Sequence, residues 1–445
     1  MFGFIKQLFG GKTTASANQD SVKHEVKPQA VASSLPAGEV RSAPAAVLQR
    51  DELIDAKTRI AGYRFSARCP ESPAQADPAA TVEILRASNI AQFAERRLAL
   101  VPLQAGDWHS FAYGALVGPN TTFLLVHPKE ECELAAWQEV AAQIKQTGGC
   151  VAVREAVGLD EGFVRQHADY LLIDYSSYAL PRFEQMVRKF RVSLPNVKLI
   201  VEHVPTWAEQ RYCISLGVAL CMGSFVTEPD ENQQAGEIGQ SRLILIEMLN
   251  LLRQDADLAE LAKIAKQDPG VVVKLVNMAN SPMLGLRQGV TGIDQAMMLL
   301  GREQLYRWLS IGMFRASAGA PRDEVLLEVS LARGRFLELI GQERHGKSEC
   351  DELFLLGLLS LLDSLLGVRM DKLLERIHLS EAIRQVLLNN SGPLSRYLML
   401  AIAVEKGHPE NVQRLADQLE IPLGDIEAAA ISALAWAEEA VSFAE

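Results

Sequence analysis

Two periodicities divide the chain. From about Asp51 to Glu231, short apolar runs such as "RIAGYRFSAR", "TTFLLVHP", "CVAVREA", "YLLIDYS" and "VKLIVEHV" alternate with helical stretches such as "LAAWQEVAAQIKQTG" and "LPRFEQMVRKFRVSLP". Strand and helix in alternation predict parallel strands joined by helical crossovers, hence an α/β sheet or barrel. After Ser241 the apolar positions recur at helical spacing, in "LILIEMLNLLRQ", "DLAELAKIAKQ", "GIDQAMMLLGREQLYRWLSIGMF" and the leucine-rich "LFLLGLLSLLDSLLG" of residues 353–367. That pattern predicts a second, all-α domain. The polar stretch "TEPDENQQAGEIGQ" separates the two and predicts that few contacts cross between them.

Ahead of both, "MFGFIKQLFGGK" places Phe2, Phe4, Ile5, Leu8 and Phe9 near one helical face. A helix so short needs a surface to fold upon. Two readings stand: the peptide packs on its own body, or it docks reversibly on a partner protein or a membrane surface. The Ala/Ser/Pro-rich segment behind it contains no aromatic residue and reads as a disordered linker. The resulting division is 1–10 amphipathic peptide, 11–52 linker, 53–231 α/β domain, 241–430 helical domain and 431–445 helical tail.

With 445 residues, 48% of them hydrophobic, the chain holds enough apolar surface for two or three domains. The net charge is -11, and residues 1–50 carry +3 of opposite sign, so the body is acidic. An acidic body argues against nucleic acid as a partner, because neutralising phosphates needs clustered cations. No apolar run reaches the ~20 residues that span a bilayer, and the N-terminus lacks a secretory pattern. The expected location is therefore the cytoplasm, with peripheral contact at the inner membrane left to the N-terminal peptide. Six scattered cysteines without CxxC spacing predict reduced thiols. No Walker loop, GxGxxG or GxSxG occurs and the histidines show no ligand spacing, so no cofactor and no metal are expected.

The stretch "DPGVVVKLVNMANSPMLGLRQGVTGIDQAMMLLGREQLYRWLSIGMF", residues 268–314, resembles the HDOD domain, a relative of HD-type phosphohydrolases, and the likeness extends over most of 241–430. The β-rich half then resembles a reduced EAL domain, the barrel that hydrolyses cyclic di-guanylate, in a two-domain EAL/HDOD signalling arrangement. The fold implied is an EAL-like (β/α) barrel followed by an all-helical HDOD domain.

Carried over by position, the resemblance implies a protein without its family's chemistry. The metal-ligating glutamate of the first strand falls on Arg64 in "GYRFSAR". The asparagine of the following strand falls on Leu125, the next glutamate on Ala152, a lysine on Leu172 and a glutamine on Met222. The strand bearing paired aspartates is absent by this reading. Glu202 survives as a carboxylate, Asp174 remains near it, and Arg68 takes the place of a phosphate-contacting arginine, so these three are the candidates for holding an anion or nucleotide. In the helical half the family's metal-binding His-Asp pair falls on Ser360-Leu361; Asp363 lies too far along, and His345 is the nearest histidine.

The function implied is a catalytically inactive signalling or scaffold protein that meets signalling or motility proteins through its HDOD domain, in circuits tied to cyclic di-guanylate, motility or attachment. The alternative is a receptor that binds cyclic di-guanylate without cleaving it.

Overall fold

Eight strands close into a barrel in sequence order: β1 (Val47–Asp55), β2 (Ile60–Arg68), β3 (Leu98–Leu103), β4 (Thr121–Leu125), β5 (Cys150–Arg154), β6 (Tyr170–Asp174), β7 (Lys198–Glu202) and β8 (Leu220–Cys221). The computed structural model describes residues 46–70, 77–87, 89–126, 134–155, 160–230, 239–280, 290–314 and 321–442. β1 runs antiparallel to both β2 and β8, and every other neighbouring pair is parallel. Helices α1 (Pro78–Ala87), α2 (Leu134–Gln146), α3 (Glu161–His167), α4 (Leu180–Ser193) and α5 (Trp207–Ser215) return the chain between parallel strands.

Side chains alternate across each strand, and both faces are apolar because both are covered. Leu53, Leu100, Leu124, Ala152, Leu172, Ile200 and Met222 fill the lumen as one cluster. Phe65, Val101, Phe123, Leu125, Val153, Leu171, Ile173 and Val201 point outward into the larger core beneath the helices.

This alternation corrects three expectations. β1, β3 and β8 lack strong strand signals: β1 is rich in charge, β3 contains Pro102, and β8 has two residues. Once β3 is counted, the strand after β2 is "LALVPL", and Leu125 lies on β4 with its side chain among the helices rather than in the lumen. No strand is missing before β6; β5 is there, ending in Arg154. The first strand also begins at Val47, inside the 11–52 segment assigned to the linker.

The helical half opens with α6 (Gln240–Arg253), α7 (Leu258–Ala265), α8 (Pro269–Ala279) and α9 (Ile293–Phe314), the last broken at Gly301, whose φ is 70°. Its centre is α10 (Pro321–Gly341) crossed by α11 (Lys347–Leu359). The crossing is close because two glycines meet: a Cβ on Gly357 would lie 2.6 Å from the Cα of Gly334. The leucine-rich stretch is not one helix, since α11 stops at Leu359 and a separate turn spans Leu362–Leu366. Beyond it come α12 (Glu381–Asn389), α13 (Ser395–Glu405), α14 (Pro409–Leu419) and α15 (Leu423–Ser442); α15 runs across the 430/431 division and packs along α10.

The halves are joined by far more than a polar tether. Arg97 of the barrel forms an ion pair with Glu328 of α10, which also accepts from the Tyr63 hydroxyl at 3.3 Å. The Leu48 amide donates to Glu427 of α15 at 3.1 Å, and Arg50 lies 3.8 Å from Glu405 of α13. Arg322 donates to the Glu228 carbonyl, and the Ser364 hydroxyl to that of Thr227. Arg50, Tyr63, Arg322, Glu328, Ser364 and Glu427 among them are buried, so the expectation of few crossing contacts fails: most of the interface is built by residues far from the polar stretch in sequence.

Candidate functional site

The carboxyl ends of parallel strands are where a barrel gathers side chains from many segments. Here the last lumen-facing residues of five strands meet: Arg64, Ser66 and Arg68 from β2, Pro102 from β3, Leu124 and Val126 at the end of β4, Arg154 from β5, and Glu202 with His203 at the end of β7. They line a cavity of about 250 Å³.

Glu202 is fully buried and both its oxygens are engaged. One accepts from Arg64 Nη1 at 2.6 Å and from Arg154 Nη2 at 3.2 Å; the other accepts from Arg154 Nη1. Arg64 also donates through Nε to Asp51 Oδ2 at 2.9 Å, across the β1–β2 ladder where the two residues face one another. Burial works against the Arg64 charge, but Asp51 and Glu202 more than restore it, so the group is held protonated beyond its ordinary range. Arg68 donates through Nε to Gln49 Oε1 at 2.5 Å. Gln49 in turn is touched from the helical half, for Gly407, at φ 61°, lies so close that a Cβ there would sit 2.4 Å from the Gln49 Cβ.

Asp174 ends β6 beside Glu202 in register. Burial pushes its carboxyl up, yet hydrogen bonds from Ser176, His203 and Ser177 outweigh this and bring it down to about 2. His203 Nδ1 lies 3.0 Å from Asp174 Oδ1, with the histidine at φ 58°. That contact fixes the ring and leaves Nε2 as its second polar atom.

The structure thus brings the sequence candidates Arg68, Asp174 and Glu202 to one end of the barrel, and adds Arg154 and His203, which sequence reasoning passed over. The signal for Arg154 was present: it shares lumen parity with Ala152 in "CVAVRE". Phe2, Phe4, Ile5, Leu8 and Phe9 lie outside the described residues.

Asp174, Glu202 and His203 each offer a ligand atom, all within 4.8 Å of one another, the sole such group among the described residues. A divalent cation does not fit them as they stand. Glu202 is already neutralised by two guanidiniums, which would repel the ion and would have to be displaced.

In the helical half, Ser360 accepts from Arg333 Nη1 at 2.7 Å and donates to the Gly357 carbonyl. Arg333 forks onto Glu405, at 2.9 and 2.7 Å. His345 Nε2 lies 2.8 Å from the Tyr397 hydroxyl. Ser360 thus lies beside an Arg333–Glu405 ion pair, and Glu405 also comes within 3.8 Å of Arg50 of the barrel.

The HDOD domain model matches residues 243–385, so the helical half contains an HDOD domain. The chain is 23% identical over 268 residues to cyclic di-GMP phosphodiesterase CdgJ of Vibrio cholerae, covering 60% of this chain and 62% of that protein. It is 24% identical over 224 residues to the uncharacterized protein YuxH of Bacillus subtilis, covering 50% and 54%. The chain thus aligns with less than two thirds of the length of either relative. Among solved structures, the PaMucR phosphodiesterase in complex with c-di-GMP matches at 15% identity and a TM-score of 0.34, over 40% of this chain and 94% of that one. An EAL domain protein from Listeria monocytogenes matches at 16% and 0.31, over 41% and 87%. No described helix is long and apolar enough to cross a membrane.

Proposed function

We propose that this chain is a signalling protein of cyclic di-guanylate-linked circuits, such as those governing motility or attachment, that does not hydrolyse the nucleotide and acts through protein contacts of its HDOD half. The observation that supports this reading is the state of Glu202, tied up by Arg64 and Arg154 at the place where the resemblance calls for a metal ligand. Two-metal hydrolysis needs several oxygen ligands holding cations about 4 Å apart. Around Glu202 the lumen offers Leu124, Ala152, Leu172 and Met222 instead. A relative named as a phosphodiesterase supports the pathway; at 23% identity its chemistry does not carry over by itself, and the arginines around Glu202 support the inactive reading for this chain.

Purified full-length protein should leave cyclic di-guanylate intact with Mg²⁺ or Mn²⁺, and Arg64→Glu alone should not confer turnover, because the apolar lumen positions remain. Metal-dependent turnover by the wild type that disappears in Glu202→Ala would overturn the proposal. A second reading, a receptor that binds the nucleotide without cleaving it, is favoured by the arginines of the cavity; calorimetry with cyclic di-guanylate, with and without divalent metal, separates it from the first.

A further inference from the structure

We propose that the amino end of the barrel, opposite the mouth, is a docking face for an anionic phospholipid surface. The proposal is independent of what the mouth binds.

Topology collects the charge. The turn between β1 and β2 carries Lys57 and Arg59, α2, α3 and α4 end with Lys145, Arg165 and Arg191, and β7 begins at Lys198. All six are exposed. Contacts link them round the rim: Lys145 pairs with Asp169, whose carbonyl accepts the Lys198 amide at 2.9 Å. Arg165 donates to the Ser193 carbonyl at the end of α4 at 3.2 Å, and Arg191 to the Leu216 carbonyl just past α5 at 3.0 Å. Leu220 of β8 then pairs with Asp55, the carboxylate that Arg59 meets.

On this arc Asp55 and Asp169 are the opposing carboxylates among the described residues, which leaves an excess of four positive charges. Glu161 and Glu184, higher on the helices, are met by Lys189 and Arg188. Where the end meets the helical half, Arg86, Arg96 and Arg97 stand against Glu95, Glu438, Glu439 and Glu328, so the whole end keeps an excess of three on a chain of net charge -11. The carbonyl ends of α1 to α5 also point here, and a cation in the last turn, as at Lys145, Arg165 and Arg191, is the ordinary answer to a helix end. Lys57, Arg59 and Lys198 lie on no helix and remain once those ends are answered.

Shape decides the partner. From β5 to β8 only two to four residues join each helix to the next strand, so no long segment stands above the rim and the cations lie along a flat arc. A groove would suit an acidic peptide; a flat cationic arc suits a plane of anionic headgroups, on which each cation acts within a Debye length. Val192, beside Arg191, is 84% exposed and offers the same plane an apolar contact. Phe2, Phe4, Ile5, Leu8 and Phe9 supply, in the same chain, the second signal that stable attachment needs. Docked by this end, the barrel turns its mouth away from the bilayer and leaves it open.

The test is co-sedimentation of the full chain with vesicles of phosphatidylcholine, alone or with about 30% phosphatidylglycerol, at about 0.1 M and about 0.5 M NaCl. The chain should bind the anionic vesicles at the lower salt, release them at the higher, and ignore the neutral ones. Lys57→Gln/Lys145→Gln/Lys198→Gln should weaken binding at least about tenfold. Should that variant fold poorly, Lys57→Gln/Lys198→Gln spares the Lys145–Asp169 pair and should still weaken binding several-fold. Arg369→Gln/Lys372→Gln/Arg414→Gln removes the same charge from exposed sites of the helical half and should bind like the wild type. Equal binding to neutral vesicles, equal loss in the two triple variants, or loss in Phe2→Ser/Phe4→Ser/Phe9→Ser with none in the rim variants overturns the proposal. So does capture by polyglutamate or duplex DNA without binding to vesicles, which reassigns the face to an acidic protein or a nucleic acid.

Discussion

Glu427 shows how one side chain couples the join between the halves to pH. Its Oε1 accepts the Leu48 amide, its Oε2 has no partner among the described residues, and burial pushes its carboxyl up to about 8. The folded chain therefore keeps a proton that the unfolded chain releases above about 4.5, so stability falls as pH rises from there to about 8 and is flat beyond. A displacement of that size corresponds to on the order of 5 kcal/mol. Glu427→Gln keeps the acceptor and loses the titration; it should melt like the wild type near pH 5 and several degrees higher at pH 8 by differential scanning fluorimetry. A wild-type slope retained in full would place its origin elsewhere. Glu52, raised to about 7 by burial against the pull of Arg50, adds a slope of the same sign that the variant keeps. None of this was legible in the sequence, where Glu427 is one acidic residue in "GDIEAAA". Glu202, Asp174 and Arg68 were legible because they end recognisable strands, whereas His203 reads as a loop histidine until its left-handed backbone is seen.

Among the elements, the long strand-helix alternation was readable and the weak strands were not. β3 and β8 are held by their neighbours' ladders and by the cores on both faces, which replace the local propensity they lack. The leucine-rich stretch misled in another way: its composition suggested one long helix, while Ser360 and Leu361 interrupt it. What its composition conceals is the glycine contact. Because a Cβ on Gly357 would meet Gly334 Cα and N at 2.6 Å, Gly357→Val should push α10 and α11 apart and cost more than about 2 kcal/mol in urea unfolding. Gly424→Ala, where nothing lies within 4 Å, should be close to neutral. Equal effects at the two sites would refute the close crossing.

For the molecule as a whole, the join between the halves decides behaviour. Glu328 and Glu427 are buried and Arg97 is half-buried where barrel and helices meet, and separating the halves would leave the Arg97–Glu328 pair broken and the Leu48 amide without its acceptor. Removing one partner of a buried pair costs roughly 3–5 kcal/mol. The full chain should thus unfold in a single calorimetric transition, and residues 239–445 expressed alone should melt below it; two resolved transitions in the full chain would contradict this. The sequence could not show this join, since its pairs lie hundreds of positions apart and each looks like an ordinary surface charge. Gly407 adds a sequel. Its backbone presses on Gln49, which holds Arg68 at the barrel mouth, so a turn of the helical half is the next neighbour but one of any anion there. Thermodynamic reciprocity then sets the terms of exchange: if a partner seated on the helices tightens the grip of Arg68 by some factor, occupancy of the mouth must tighten that partner's hold by the same factor, and neither end is sender or receiver by construction.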